Sequence, residues 1–390
     1  CIIIVLAICS CVSEFNIELS TETDYRLVVE GNIIADSEAI FYIGLSTPLG
    51  SSGSDENSIK NVSGAKLFLI DNEGHRSEQA TMIEDGLYSL KIGTLLENTK
   101  YGIEIQYIND TYQSEPDFPL WTPEVNASWV QPEKEGDVVL QVSTTDSSDG
   151  YKYYMWYYQE DWEIQANYRN RFYYDPLIND FYELEYYPYY YCWEKHIGKE
   201  ILVGNTEALT ENSIINKKIF TRNADDIRFS MLYAVTVQQI AITKDAYEYF
   251  YNVNRQNTEM GCLFTPQPSD VQGNSKCITN PDKKVIGNIN VAMNITESRK
   301  FLKEEEISRP PTKIDCIQIS EEDMLEYMAD NNYYSYKFVY DMGFRPVGVR
   351  ELEDGIWINY IYFWTYNKCT ECTAMGGTKD KPLFWPNDHE

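Results

Sequence analysis

The chain has 390 residues, enough for two or three domains of ordinary size. Its 61 Asp and Glu against 32 Lys and Arg give a formal net charge of −29. That balance excludes nucleic acid as a main partner, because phosphate binding needs clustered cations, and speaks against docking on anionic lipid through a basic face.

Residues 1–10 begin with an unbroken apolar run, Cys1-Ile-Ile-Ile-Val-Leu-Ala-Ile8. It is too short to span a bilayer, which takes about 20 residues, and has the size of a signal-peptide core. It leads into Cys9-Ser10-Cys11, which is similar to a bacterial lipobox. Residues 1–10 are therefore expected to be a signal-peptide remnant and Cys11 the lipidated N-terminus; the alternative is a buried N-terminal strand. Several acyl chains at ~0.8 kcal/mol per buried CH₂ would anchor the protein stably. Residues 11–25 are polar and acidic and read as a tether.

Short strand-like runs follow, at Arg26–Ile33, Ile40–Ser46, Ala65–Ile70, Leu87–Ile92 and Tyr101–Ile108. Asn72-Glu-Gly74 and Asp85-Gly86 supply turns, since glycine accepts positive φ without penalty. This spacing predicts an antiparallel sandwich, Ig-like or prealbumin-like, over residues 26–122, with a mobile Gly/Ser-rich loop at 50–57 and an extended exit through Pro116, Pro119 and Pro123.

A larger β-rich domain with two short helices is expected over 127–390. It starts with a strand at Asp137–Ser143. The stretch 151–193 then holds 14 of the 32 Tyr and three Trp. Doublets break its period, so the rings cannot all share one buried face. Met231–Ile242 is strand-like, and Thr243 reads as the N-cap of a helix with Tyr247, Phe250, Tyr251 and Asn254 on one face, a stripe that suits core packing. Val285–Asn294 reads as one strand. Ser320 caps a second helix, Glu321–Ala329, with Met324, Leu325 and Met328 inward. The chain ends in another aromatic stretch, Trp357–Trp364.

Six cysteines follow Cys11: Cys192, Cys262, Cys277, Cys316, Cys369 and Cys372. An even number in an exported chain allows three disulfides. Local spacing suggests Cys262 with Cys277. Cys369-Thr-Glu-Cys372 could be a redox pair, half a zinc site completed by Cys192 and His196, or a cystine; an oxidising compartment favours cystine. No residues are assigned to catalysis or to a metal, and no cofactor is expected, because no nucleotide-binding glycine loop, nucleophile elbow or zinc-protease motif occurs and the chain has three histidines. Glu160-Asp161 and Glu183/Glu185 could act as acid and base of a glycosidase, but the sequence favours a solvated acidic surface for them. The Tyr- and Trp-rich segment is the better candidate: Tyr157, Tyr158, Trp162, Tyr186 and Tyr187 could stack on a small glycan or peptide ligand or form a protein interface, or they could simply fill cross-strand pairs.

Several segments resemble one family. They are Cys11-Val-Ser-Glu-Phe15, Leu27-Val-Val-Glu-Gly-Asn32, Gly64-Ala-Lys-Leu-Phe-Leu-Ile-Asp71, Asp85-Gly-Leu-Tyr88, Pro266–Asn274, Cys369–Cys372 and Lys381-Pro-Leu-Phe-Trp385. Together they look like a Bacteroidota lipoprotein family, domain of unknown function 4249. The resemblance implies a lipid-anchored outer-membrane protein, on the cell surface rather than the periplasmic face. It also implies accessory work for a TonB-dependent transporter, as a capture or lid subunit. A stand-alone glycan-binding or adhesion protein is the alternative, and a glycosidase a third. The family contributes no catalytic residues.

Overall fold

The structure is a computed structural model that describes residues 25–46, 59–175, 177–259, 273–310, 315–331 and 335–386. Cys11, the signal and tether segments before residue 25, the loop at 50–57 and Cys262 lie outside the described residues. Among the described residues the fold is mostly β, in several sheets, with three α-helices.

The chain divides into two compact units, one of Cys1–Phe118 with Asp270–Val291, the other of Pro119–Ser269 with Ala292–Glu390. The first unit is sandwich-like. One sheet runs Val285–Ile286, Arg26–Ile34, Glu38–Ser46, Leu87–Lys91, Thr81–Glu84, and the other Ser275–Cys277, Asp110–Ser114, Tyr101–Tyr107, Lys66–Asp71. Alternation explains these strands: Leu27, Val29, Phe41, Ile43, Leu67, Ile103 and Ile105 are buried. Gly74 and Gly86 turn the chain at φ 91° and 84°, as the Asn-Glu-Gly and Asp-Gly signals predict.

The sequence reading ended this unit at residue 122. Instead the chain comes back to it much later, and the returning segment adds an edge strand to each sheet: Ser275–Cys277 pairs antiparallel with Tyr112–Ser114, and Val285–Ile286 parallel with Leu27–Val28. The expected single strand Val285–Asn294 is split into Val285–Ile286 and Ile289–Ala292. Gly287 sits between them at φ 122°, and a Cβ there would stand 1.8 Å from the Val29 carbonyl oxygen. Only glycine permits that approach.

In the second unit a three-stranded sheet (Ser213–Arg222, Val138–Thr145, Val125–Val130) packs on a five-stranded one. The latter runs Tyr191–Ile197, Tyr153–Gln165, Tyr233–Ile242, Thr296–Leu302, with Leu202–Asn205 also on the 13-residue strand Tyr153–Gln165. That central strand is covered on both faces, which explains its broken period. Tyr154, Trp156, Tyr158, Trp162 and Ile164 enter the main core, while Met155, Asp161 and Glu163 are buried on the other side. Behind the sheet, Trp193, Leu232, Ala234 and Trp385 form a smaller cluster, so the C-terminal Lys381–Trp385 motif is a packing element.

Helix α1 (Lys244–Glu259) starts as expected, with the Ala246 amide donating to Thr243 Oγ1. Its buried face is Ala246 and Tyr249, however, and Tyr251 is half exposed. The proposed Tyr247/Phe250/Tyr251 stripe was one position out, because rings occur all round this helix and the small Ala246 carried no weight in the pattern. Helix α2 (Glu321–Asp330) buries Met324 and Met328 but leaves Leu325 exposed. A third helix, α3 (Tyr336–Asp341), was not expected. With Phe172, Phe181 and Trp364 from two hairpins, α2 and α3 form a separate small core.

The structure joins Cys192 to Cys372 and Cys316 to Cys369. The C-x-x-C is therefore neither a local cystine nor half a zinc site. Cys192 and Cys372 do meet, but as a disulfide. Cys277 is a buried free thiol, and Cys262, its suggested partner, lies outside the described residues. Between the two cysteines of the motif, Glu371 makes a buried ion pair with Arg345 of the hairpin Phe344–Glu353/Ile356–Tyr366. Peptide mapping under non-reducing conditions is expected to recover 192–372 and 316–369 cross-links. Replacing Cys192 and Cys372 together by Ser should cost about 2–5 kcal/mol, since a bridge across so long a loop restricts the unfolded chain strongly. An unchanged denaturant midpoint would contradict this.

Candidate functional site

Where the central strand ends, the second unit opens a cavity of about 560 Å³. Gln165, Ala166 and Asn167 line it beside Tyr190. The Ala166 amide donates to the Tyr190 carbonyl at 2.9 Å, and Gln165 Nε2 donates to the Tyr190 hydroxyl at 2.6 Å. Ile227, Ser230 and Met231 come from a short 3₁₀ turn, capped by Asp226 accepting from the Arg228 amide. Glu304, Arg309 and Pro310 follow the strand Thr296–Leu302, and Met375 ends the turn begun at Cys372. The Cys372 amide donates to the Tyr189 carbonyl at 2.8 Å, so the disulfide and this bond fix Met375 against the aromatic wall.

Beside the cavity lies an arginine and tyrosine cluster. The Arg169 guanidinium is over the rings of Tyr187 and Tyr190, at 5.3 and 5.2 Å from their centroids, and Arg171 is over Tyr187 at 4.7 Å. Arg171 also approaches Glu183 at 3.6 Å. Tyr190 packs edge-on against Tyr191 at 4.7 Å. Burial, then the neighbouring Tyr190, pushes the Tyr191 phenol above its ordinary value. The cavity thus combines amide, hydroxyl and guanidinium donors, one carboxylate, an aromatic ring and apolar Met and Ile side chains. That set suits a polar, hydroxyl-rich small ligand held by hydrogen bonds over a flat face.

The five aromatic residues singled out from sequence do not assemble into one site. Tyr158 and Trp162 are core residues, 3% and 4% exposed, and cannot present a face to a ligand. Tyr158 donates to Glu200 at 2.7 Å, and Trp162 lies under Arg228. Tyr157 is exposed on the opposite face of the strand from the main core, with its hydroxyl on Met155 Sδ. Tyr186 is exposed, and only Tyr187 belongs to the cluster beside the cavity. Gln165, Arg169, Arg171, Tyr190 and Arg309 were missed. The available signal was Arg169-Asn-Arg171, two cations at i and i+2 inside an aromatic stretch of an acidic chain.

Of the two acidic pairs, Glu183 and Glu185 lie half-buried and exposed at the surface, in keeping with the sequence reading, but Glu160 and Asp161 do not. Glu160 and Asp161 are 0% and 2% exposed, so they are not a solvated surface. As neighbours on a strand they point to opposite faces and cannot flank one bond. Glu160 is held by Arg222 at 2.7 Å, Arg228 at 3.1 Å and the Tyr233 hydroxyl at 2.7 Å. Asp161 accepts a hydrogen bond from Gln159 Nε2 at 2.9 Å, and burial raises its carboxyl above the ordinary value. Among the described residues no three His, Cys, Asp or Glu side chains are placed to hold a metal ion.

Fold and site define a disulfide-stapled, mostly β protein of two units with a polar, aromatic-walled cavity in the second. The chain belongs to the family described as domain of unknown function (DUF4249), which matches it over residues 12–299. The Cys316–Cys369 bridge, helices α2 and α3 and the Lys381–Trp385 motif lie beyond the matched span. A search of the curated proteins finds no match.

Glu160→Gln should destabilise the second unit by about 3–5 kcal/mol, because it leaves two arginines facing a neutral group. Asp161→Asn should cost about 1 kcal/mol or less near neutral pH. A raised carboxyl penalises the fold increasingly as pH climbs from the ordinary Asp value to the raised one, and the amide removes that penalty. Equal midpoints for the two variants in denaturant titrations at pH 7 would contradict both assignments.

Proposed function

We propose that this protein is a lipid-anchored outer-membrane accessory protein that captures a small hydroxyl-rich ligand, a glycan or a polar peptide, for a TonB-dependent transporter. The cavity that Gln165 and Tyr190 help to line carries the capture role. Asn167 and Arg309 supply donors, Glu304 and the side-chain oxygens of Gln165 and Ser230 supply acceptors, and Tyr190 lines it with them. Such convergent polar groups around a concave, partly apolar surface are the usual make-up of a small-ligand site. Two disulfides support an oxidising compartment outside the cytosol. The lipobox-like Cys9-Ser10-Cys11 and the family resemblance support the anchor and the transporter.

Binding is tested on a glycan array and by titration of the hits. Tyr190→Ala is expected to weaken any hit about tenfold or more, the loss of one well-packed aromatic contact, and Arg169→Ala by less. Full retention in both variants would remove the cavity as the site. Affinity purification from native membranes in mild detergent tests the partner. A large outer-membrane barrel should co-purify. Its consistent absence, together with specific glycan binding, would favour a stand-alone glycan-binding lipoprotein.

A further inference from the structure

A second concavity lies in the same unit, well along the central strand from the first. It has a volume of about 380 Å³ and is lined by Gly204, Asn205, Leu209, Ser213, Ile214, Ile215 and Lys217. A bulge builds it. The register between Val138–Thr145 and Ser213–Arg222 slips between Val142 and Thr144, Asn216 takes φ 52°, and the Asn216 amide donates to Ser143 Oγ at 3.0 Å. The bulge leaves Ile215 exposed and brings the Lys217 ammonium 5.6 Å from the centroid of the buried Trp156 ring. Bulges re-aim side chains in this way next to sites. Gly204 leaves the room: a Cβ there would stand 2.7 Å from Trp156 and 3.2 Å from Lys217 Cε.

Lys217 is not held the way the carboxylate-paired cations of the unit are. Arg222, five residues along the same strand, has Glu160, and Arg345 has Glu371. Lys217 has an indole face and no carboxylate among the described residues, in a chain with 61 acids. Burial alone lowers its pKa from the ordinary lysine value, and no charge opposes that shift. A half-desolvated ammonium without a counter-charge is unfavourable, and the empty space in front of it leads outward past apolar side chains.

We propose that Lys217 anchors a second ligand site that takes a small organic carboxylate, with its charged end on the ammonium and its apolar end against Leu209 and Ile214. One cation neutralises one carboxylate. A multiply charged anion would leave charge uncompensated beside those two side chains, so inorganic phosphate is disfavoured.

The test uses the full chain with butyrate as probe. Saturation-transfer NMR should show saturable butyrate binding that falls at least tenfold in Lys217→Met, and inorganic phosphate should not displace butyrate. Binding should also fade as pH rises through the lowered Lys217 pKa, earlier than an ordinary lysine would lose its charge. A second readout needs no variant: butyrate should slow the acetylation of Lys217 by an amine-reactive acyl ester, read by mass spectrometry, while exposed lysines react unchanged. No saturable binding, equal binding in Lys217→Met, displacement by phosphate at equal concentration, or an unprotected Lys217 would each overturn the proposal. Tyr190→Ala should leave butyrate binding intact, which separates this site from the first cavity.

Discussion

A carboxylate removed from water has to be answered by charge and hydrogen bonds, and Glu160 places that requirement in the middle of the second unit. Arg222 reaches it from the three-stranded sheet, Arg228 from the 3₁₀ turn and Tyr233 from the neighbouring strand. Four separate pieces of chain are thereby fixed around one side chain. The consequence runs outward to the cavity. The turn that supplies Arg228 also supplies Ile227, Ser230 and Met231 to the cavity wall, so the shape of the candidate site depends on a charge that does not touch it. The carboxylate contributes geometry more than stability, since desolvating an ion pair offsets most of its attraction.

The disulfides act as a second constraint of the same kind. Cys369 and Cys372 are three residues apart, yet each is bonded to a distant segment, Cys316 and Cys192 respectively. This short turn therefore connects the strand beside the central one to the region of helix α2, and the Glu371–Arg345 ion pair ties in the hairpin. The small core of helices and hairpins rests on six buried apolar side chains, and the covalent links add to what that limited burial supplies. Met375 is carried into the cavity wall by the same turn.

An acidic chain also gives meaning to its cations. Several of the buried or half-buried ones are paired with carboxylates inside the unit, and the arginines of the Tyr-rich segment lie on phenol rings, Arg171 with Glu183 beside it as well. Arg169 and Arg171 need no buried acid, because a guanidinium on an aromatic face stays partly hydrated. The Tyr excess follows in part: the rings serve as core on the central strand and as supports for cations beside the cavity.

Local chemistry was legible in the sequence wherever local chemistry decides the outcome. Alternation marked the strands of the first unit, Asp85-Gly86 and Asn72-Glu-Gly74 marked turns that only a residue tolerant of positive φ completes, and Thr243 and Ser320 marked helix starts because their hydroxyls satisfy exposed amides. The aromatic segment was correctly singled out as unusual, but within it the sequence could not separate core from surface. Tyr157 and Tyr158 are adjacent and chemically identical, and only the sheet on one side and the cover on the other decide that the second is buried. Which cysteines pair, which stripe of α1 faces inward, that residues 275–291 return to the first unit, and that Gln165, Tyr190 and Arg309 meet around one cavity are all properties of chain segments far apart in sequence. Periodicity and propensity act over a few residues and carry no record of such meetings, so the tertiary structure alone settled them.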